Sequence, residues 1–424
     1  MRTVHRRGHL PSALVITLLL ASLLSITSVQ TGGHSSDTPA APTLLSPLNG
    51  ENIKDNTPLM DWLSVSGATE YYLQIDNDND YSSPNVDNDN IPTDNYEVPA
   101  ENALPEGRYY WRVRAENATE NGPWSENWIF QVDVTAPPTP TLAWPADGEN
   151  IDDNTPNLNW NPVTDPSTPV TYDVQIDDNA DFSSPEVNVT GVTTDNYITF
   201  ELIDNLWNWR VQARDNAGNI GSWSSSRSFK VDTLAPPAPT LVAPADGTRT
   251  NDNSQTYDWS DVMDNSLPIT YEWQVDNDND FSSPYSTESG LSTSQYGPVA
   301  LPDENWSWHV RARDNAGNYS TWSSAWTILI DTTPPDAPTL VWPANSENIN
   351  DNTPTLNWNA VSENSLPVIY DVWIDNDSDF SSPIVTATRI TDDNYQVTTE
   401  LGEGVYYWRV RAVDNAGNVG ENSQ

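Results

Sequence analysis

One periodic pattern of tryptophans constrains this chain more than any other feature. Trp62, Trp160, Trp259 and Trp358 each end a short apolar segment, at spacings of 98, 99 and 99 residues. A second series, Trp111, Trp209, Trp308 and Trp408, recurs at 98, 99 and 100. Two series in step mean four copies of one unit, and self-similarity of this kind marks a tandem array. Thr- and Pro-rich stretches ("VDVTAPPTPTL", "VDTLAPPAPTL", "IDTTPPDAPTL") separate the copies. The expected modules are 41–133, 134–232, 233–331 and 332–424. The fourth stops where the others place their last strand, so further domains past the C-terminus are an expectation.

Within a copy, apolar and polar residues alternate with period two, the signature of half-buried strands. In the second copy Tyr172, Val174 and Ile176 alternate with Asp173 and Gln175. Trp207, Trp209, Val211 and Ala213 alternate with Asn208, Arg210, Gln212 and Arg214. Turn-rich stretches such as "GENIDDNTP" and "DNADFSSP" punctuate these runs. No segment sustains a 3.6-residue period. About seven short strands per hundred residues predicts an all-β fold of two packed antiparallel sheets per module.

Each copy resembles a fibronectin type III or bacterial Ig-like module. The residues that carry the resemblance are the early strand ending in Trp (Leu158-x-Trp160), the third strand "YDVQID", and the late "YYWRVRA" strand after Leu104, with its counterpart after Leu401. The resemblance implies a tandem array of four β-sandwiches, the last one incomplete. It also implies a core tyrosine whose hydroxyl reaches back to the preceding corner. In the second and third copies Trp207 and Trp306 stand in that tyrosine's place, which puts the corner bond in question there.

Charge and targeting narrow the function classes. The chain holds 17 basic and 61 acidic residues, a net charge of −44. Such a surface repels nucleic acid and anionic lipid and attracts cations. With no cysteine, disulfides, zinc-thiolate sites and cysteine nucleophiles are excluded. Residues 1–30 read as a signal peptide or an uncleaved N-terminal anchor: Arg2, Arg6 and Arg7 precede an apolar run from Leu10 to Ile26. Residues 31–40 form a polar linker. The expected location is secreted or cell-surface, with no membrane contact beyond the N-terminal segment.

Basic residues are scarce, yet eight of the 17 lie on one repeated strand: Arg112, Arg114, Arg210, Arg214, Arg311, Arg313, Arg409 and Arg411. Alternation points them outward. The following segment brings Trp124, Trp223 and Trp322, and hairpin neighbours lie about 5 Å apart. Two readings follow: a ladder of guanidinium planes against indoles, as in WSXWS-bearing fibronectin type III modules, or an arginine stripe that faces carboxylates. His309 takes an arginine position in the third copy, a surface place far from any catalytic partner.

The third strand of each copy ends in an acidic turn. The candidate ligands there are Asp76, Asp78 and Asp80; Asp177, Asn179 and Asp181; Asp276, Asp278 and Asp280; and, in the fourth copy, the turn from Asp375. The D-x-[DN]-x-D spacing is that of an EF-hand loop. An aromatic residue (Tyr81, Phe182, Phe281, Phe380) occupies the sixth position, where that loop needs Gly, and the Glu at the twelfth is missing, so an EF-hand is rejected. Strand order places these turns at one pole of a module together with Asp133, Asp232 or Asp331. The "DNAGN" turn of the next module faces them with Asp215, Asn216 and Asn219; Asp314, Asn315 and Asn318; or Asp414, Asn415 and Asn418. Each junction would then gather the hard oxygens that structural Ca2+ takes, an arrangement that resembles the calcium-clamped linkers of bacterial Ig-like adhesins. Asp, Asn and Gly are equally the ordinary residues of tight turns.

No nucleophile triad, metal-protease helix or phosphate loop occurs. Trp144, Trp342, Trp273 and Trp373 form either a sugar-stacking platform or ordinary packing. The resulting expectation is a non-enzymatic extracellular spacer, adhesion or surface-layer component, a rod of roughly 150 Å if fully extended. Its partners would be a cell-surface or extracellular protein or a polysaccharide, with no nucleic acid. Two other classes stay open: the stalk of a larger secreted carbohydrate-active enzyme or protease, and a carbohydrate-binding array.

Overall fold

The computed structural model describes residues 38–424. The leader and residues 31–37 of the linker lie outside the described residues. Among the described residues, no helix is long and apolar enough to cross a membrane.

The first module holds β1 (Leu44–Ser46), β2 (Glu51–Ile53), β3 (Leu59–Trp62), β4 (Glu70–Asp76) and β5 (Val86–Ile91). It continues with β6 (Asn95–Glu97), β7 (Gly107–Glu116), β8 (Asn121–Trp124) and β9 (Trp128–Val132). One sheet has the order β1-β3-β6, and β9, β7, β4 and β5 neighbour one another in the other.

The second module repeats this with β10 (Thr141–Trp144), β11 (Glu149–Ile151), β12 (Asn157–Asn161) and β13 (Thr171–Asp177). β14 (Val187–Val192), β15 (Asn196–Ile198), β16 (Asn205–Arg214) and β17 (Arg227–Val231) complete it. Its sheets are β10-β12-β15 and β11-β17-β16-β13-β14. The third has β18 (Leu241–Ala243), β19 (Thr248–Thr250), β20 (Ser254–Trp259), β21 (Thr270–Asp276), β22 (Ser286–Leu291), β23 (Gln295–Ala300), β24 (Glu304–Arg313) and β25 (Trp326–Ile330), in the same order. In the fourth, β26 (Leu340–Trp342), β27 (Thr355–Trp358) and β30 (Asn394–Gln396) form one sheet. β29 (Val385–Ile390), β28 (Ile369–Asp375), β31 (Tyr407–Val413) and β32 (Val419–Asn422) form the other. Four repeated pairs of packed sheets make this an all-β, fibronectin type III-like array.

Period-two alternation sorts each strand's residues between core and surface. In the second module Leu158, Trp160, Tyr172, Val174, Ile176, Trp209, Val211, Phe229 and Val231 close one core. Trp160 meets Tyr172 edge-on at 5.3 Å, a pairing repeated by Trp62–Tyr71, Trp259–Tyr271 and Trp358–Tyr370. The Tyr172 hydroxyl accepts the Val163 amide at 3.0 Å, so the ring is fixed at both ends.

The corner bond forms in every module. The Tyr109 hydroxyl donates to the Pro105 carbonyl at 2.8 Å, and Tyr406 to Gly402 at 3.1 Å. Trp207 and Trp306 do the same through Nε1, to Ile203 at 3.1 Å and Pro302 at 3.0 Å. An indole N–H replaces a phenol O–H at the same four-residue reach, which resolves the question the sequence left. β11 was not foreseen: it lies in "GENIDDNTP", read as turn, and pairs parallel with β17. Three residues are too few to show a period.

Candidate functional site

Two constellations of chemistry-bearing side chains repeat through the array. The first covers the outer face of the long β7-type strand. The Arg112 guanidinium lies over Trp124 at 4.3 Å and over Tyr81 at 3.8 Å, and Arg114 lies over Trp124 at 5.0 Å and Tyr72 at 4.8 Å. Arg210 lies between Phe182 and Trp223, at 4.1 and 4.6 Å. In the third module His309 takes the same place between Phe281 and Trp322, at 3.7 and 3.9 Å, and Arg311 covers Trp322 at 4.6 Å. The fourth module uses Phe380 with Arg409, and Trp373 with Arg411.

The edges of the same guanidinium planes bind oxygen. Arg112 and Arg210 each give two hydrogen bonds to Gln74 and Gln175, and Arg311 and Arg411 pair with Glu272 and Asp371. Both readings of the arginine stripe therefore hold at once: faces stack on rings while edges meet acceptors. Each stacked contact contributes on the order of 0.5–2 kcal/mol. His309 is not a surface residue, because its two ring neighbours leave it 8% exposed. Burial, helped by Arg311, pushes its pKa down to about 4.

Sequence reasoning missed the lower rung of this ladder. Tyr81, Phe182, Phe281 and Phe380 all have φ near the left-handed region, between 51° and 56°. The turn needs that conformation at its sixth position, and the aromatic side chain is kept there because it covers an arginine or histidine. The available signal was recurrence: an aromatic follows the last turn Asp in all four copies.

The second constellation is acidic. Among the described residues, five groups of three carboxylates have oxygens within 4.8 Å of one another: Asp76, Asp78 and Asp80; Asp133, Asp165 and Asp215; Asp177, Asp178 and Glu186; Asp232, Asp264 and Asp314; and Asp276, Asp278 and Asp280. Acidic clusters able to take a metal ion are thus built into the fold. The turn clusters stay separate from the other two. Asp177 pairs with Asn208 on β16, whereas Val231 pairs with Asn205. Asp177 and Asp232 are therefore two strands apart and offset along the sheet, roughly 16 Å by ordinary sheet spacings.

At the N-terminal pole of each later module the structure brings together Asp133 with Asp215, Asp232 with Asp314, and Asp331 with Asp414. The Asp215 carboxylate accepts the amide and the side-chain Nδ2 of Asn219, at 2.8 and 2.7 Å, and the same Nδ2 donates to the Asp133 carbonyl at 2.7 Å. Asn318 and Asn418 repeat this with Asp232 and Asp331. These asparagines staple the incoming chain to the "DNAGN" turn. Asn216, Asn315 and Asn415 use their main-chain amides on the carbonyls of Ser167, Ser266 and Ser365. Of the remaining turn candidates, Asp181 takes the Ser183 amide and Asn179 donates to Asp178, both on the surface. Asp78 and Asp80 accept the amides two residues on, and Asp278 and Asp280 do likewise. The third member of the pole cluster, Asp165 or Asp264, was not foreseen from sequence. It comes from the loop between β12 and β13, or β20 and β21, in "TDPS" and "MDNS".

The four candidate sugar-stacking tryptophans do not form one platform. Trp273 is fully buried in the third core, and Trp373 is a ladder rung. The Trp144 indole is half-buried and bonds Glu149.

No model of a known protein family matches the chain. Over 215 residues it is 27% identical to Chitinase A1 of Niallia circulans, which is 48% of this chain and 28% of that protein. The chain therefore spans well under two thirds of that relative. Among solved structures it is similar to the FN1–FN3 domains of chicken CNTN1, with TM-score 0.32 and 17% identity over 69% of this chain and 99% of that one. It is also similar to the fibronectin(III)-like modules of Clostridium thermocellum CbhA, with TM-score 0.33 and 16% identity over 45% of this chain and 94% of that one. At such scores the fold assignment rests on the strand order described above.

Proposed function

We propose that this chain is the non-catalytic, extracellular spacer of a larger secreted carbohydrate-active enzyme. The observation that carries the reading is repetition. Every constellation of charged or aromatic groups recurs from module to module, whereas an active site occurs once. Repeated sandwiches position other domains at a distance and supply no chemistry of their own. The partial match to a chitinase, confined to 28% of that protein, agrees with a segment of a polysaccharide-degrading enzyme.

The test uses an antibody raised against this chain. Applied to culture medium of the producing cells, it should precipitate a polypeptide well above 47.0 kDa that hydrolyses an insoluble polysaccharide. The isolated chain should release no sugar from chitin or cellulose. A free 47.0 kDa species held on the cell surface would contradict the stalk reading and favour a surface-adhesion component. Depletion of the isolated chain from solution by a polysaccharide would favour a carbohydrate-binding array.

A further inference from the structure

Both acidic constellations hold a buried carboxylate Oδ2 without a hydrogen-bond partner, at Asp76, Asp177, Asp276 and Asp375 in the turns and at Asp133 and Asp331 at the poles, and they differ in the charges nearby. In the turn clusters Asp177 lies close enough to Arg210 to act on its titration. At the N-terminal pole of the second module, Asp133, Asp165 and Asp215 are 3%, 8% and 4% exposed. The Thr135 amide donates to Asp133 Oδ1 at 3.2 Å, yet burial, with the charge of the other two carboxylates, raises Asp133 to about 6. Asp133 Oδ2 is buried and has no hydrogen-bond partner. Three buried carboxylates cannot all stay ionised without a counter-charge. Their oxygens lie within 4.8 Å of one another, which suits ligands on a sphere of radius roughly 2.3–2.6 Å, the reach of Ca2+.

The array carries its own control. Two residues before the incoming Asp stand Gln131, Lys230 and Leu329. Lys230 Nζ lies 3.3 Å from Asp232 Oδ2 and donates to the Asn265 carbonyl at 2.6 Å. Where lysine is present, the incoming carboxylate has its partner. Where it is replaced, Oδ2 of Asp133 and of Asp331 is left buried and unpartnered. Asp331 is 5% exposed, and Asp414, Glu363 and Asp303 act on it, but among the described residues these do not close into a cluster as Asp133, Asp165 and Asp215 do.

We propose that the N-terminal pole of the second module is a binding site for a hard divalent cation, held by Asp133, Asp165 and Asp215. In the third module the Lys230 ammonium occupies that role instead. Main-chain carbonyls and water complete the shell that carboxylates begin. This inference is independent of the spacer reading, because it concerns how each module receives the chain, whatever the array carries.

The experiment is equilibrium dialysis of the full chain against Ca2+ up to about 1 mM, the range of extracellular calcium modules. The bound ions per chain are counted for the unaltered protein, Asp165→Asn and Lys230→Gln, with circular dichroism as the check on folding. Asp165→Asn should lose one ion and Lys230→Gln should gain one. Ions held by the acidic turns are a background that neither substitution moves. An unchanged count in a folded Asp165→Asn protein overturns the site in the second module. An unchanged count in Lys230→Gln overturns the exchange of lysine for metal. If Asp165→Asn does not fold, the gain in Lys230→Gln decides the matter alone.

Discussion

His309 shows how one position in a repeat can change the chemistry of its module. Its ring is stacked on both faces, and Nε2 meets Gln274 at 2.9 Å, as the arginines of other modules meet Gln74 and Gln175. The imidazole is held neutral in the fold, with its pKa depressed to about 4. In the unfolded chain it titrates near 6.5. Between those values the unfolded state binds the extra proton, so this contribution to stability is complete above about pH 6.5 and is lost as pH falls toward 4. His309→Arg restores the residue used elsewhere and removes that dependence. The melting temperature of the variant should gain on that of the parent as pH is lowered from 7 to 5; a constant difference would contradict the account. At the corner, Tyr109→Phe removes one hydrogen bond from a largely buried ring and should cost about 1 kcal/mol in urea unfolding. The core tryptophans and the outward arginines were legible, because spacing and alternation report them directly. Trp124, Trp223 and Trp322 were legible as one cover of the arginines, but the cover on the other face was not, since Tyr81 and Phe182 reach the ladder from another strand's turn.

At the level of elements, the segment after β7 and its counterparts is held by its serine as well as its tryptophan. Ser224 Oγ accepts the Val211 amide at 3.1 Å, and the Ser224 amide donates to the Val211 carbonyl at 2.8 Å. Ser125, Ser323 and Ser423 repeat the pair with Val113, Val310 and Val410. The tryptophan lies over the arginine and the serine closes the backbone pairing, so a Trp-Ser dipeptide serves two purposes. Ser423 keeps the second even where Asn422 has replaced the tryptophan. Ser224→Ala strands a buried N–H and should destabilise the protein by about 1–3 kcal/mol, measured by denaturant unfolding; a loss below a few tenths would show that water reaches Val211. The glycine of this turn has its own reason. A Cβ on Gly221 would stand 2.5 Å from the Pro137 carbonyl, so the linker lies directly on it. Long strands were readable from their period. β11 and Asp165 were not: the first is too short to show a period, and the second reaches the Asp133–Asp215 pair, which strand order did bring together, from a separate loop.

Across the array, the repeated unit is a self-contained sandwich, and what varies is the charge where each unit receives the chain. A surface of net charge −44 is costly to hold compact unless its buried carboxylates find partners. Asparagine staples, one lysine and, as proposed above, a divalent cation provide them. An ion that binds only the folded state raises stability with its concentration. The most direct test is scanning calorimetry of the full chain at pH 7.5 and constant ionic strength, in about 1 mM Ca2+ and then in excess chelator. The account predicts a melting transition several degrees lower in chelator, restored by added Ca2+, with Asp165→Asn showing a smaller calcium increment. Superimposable traces in calcium and chelator would contradict it.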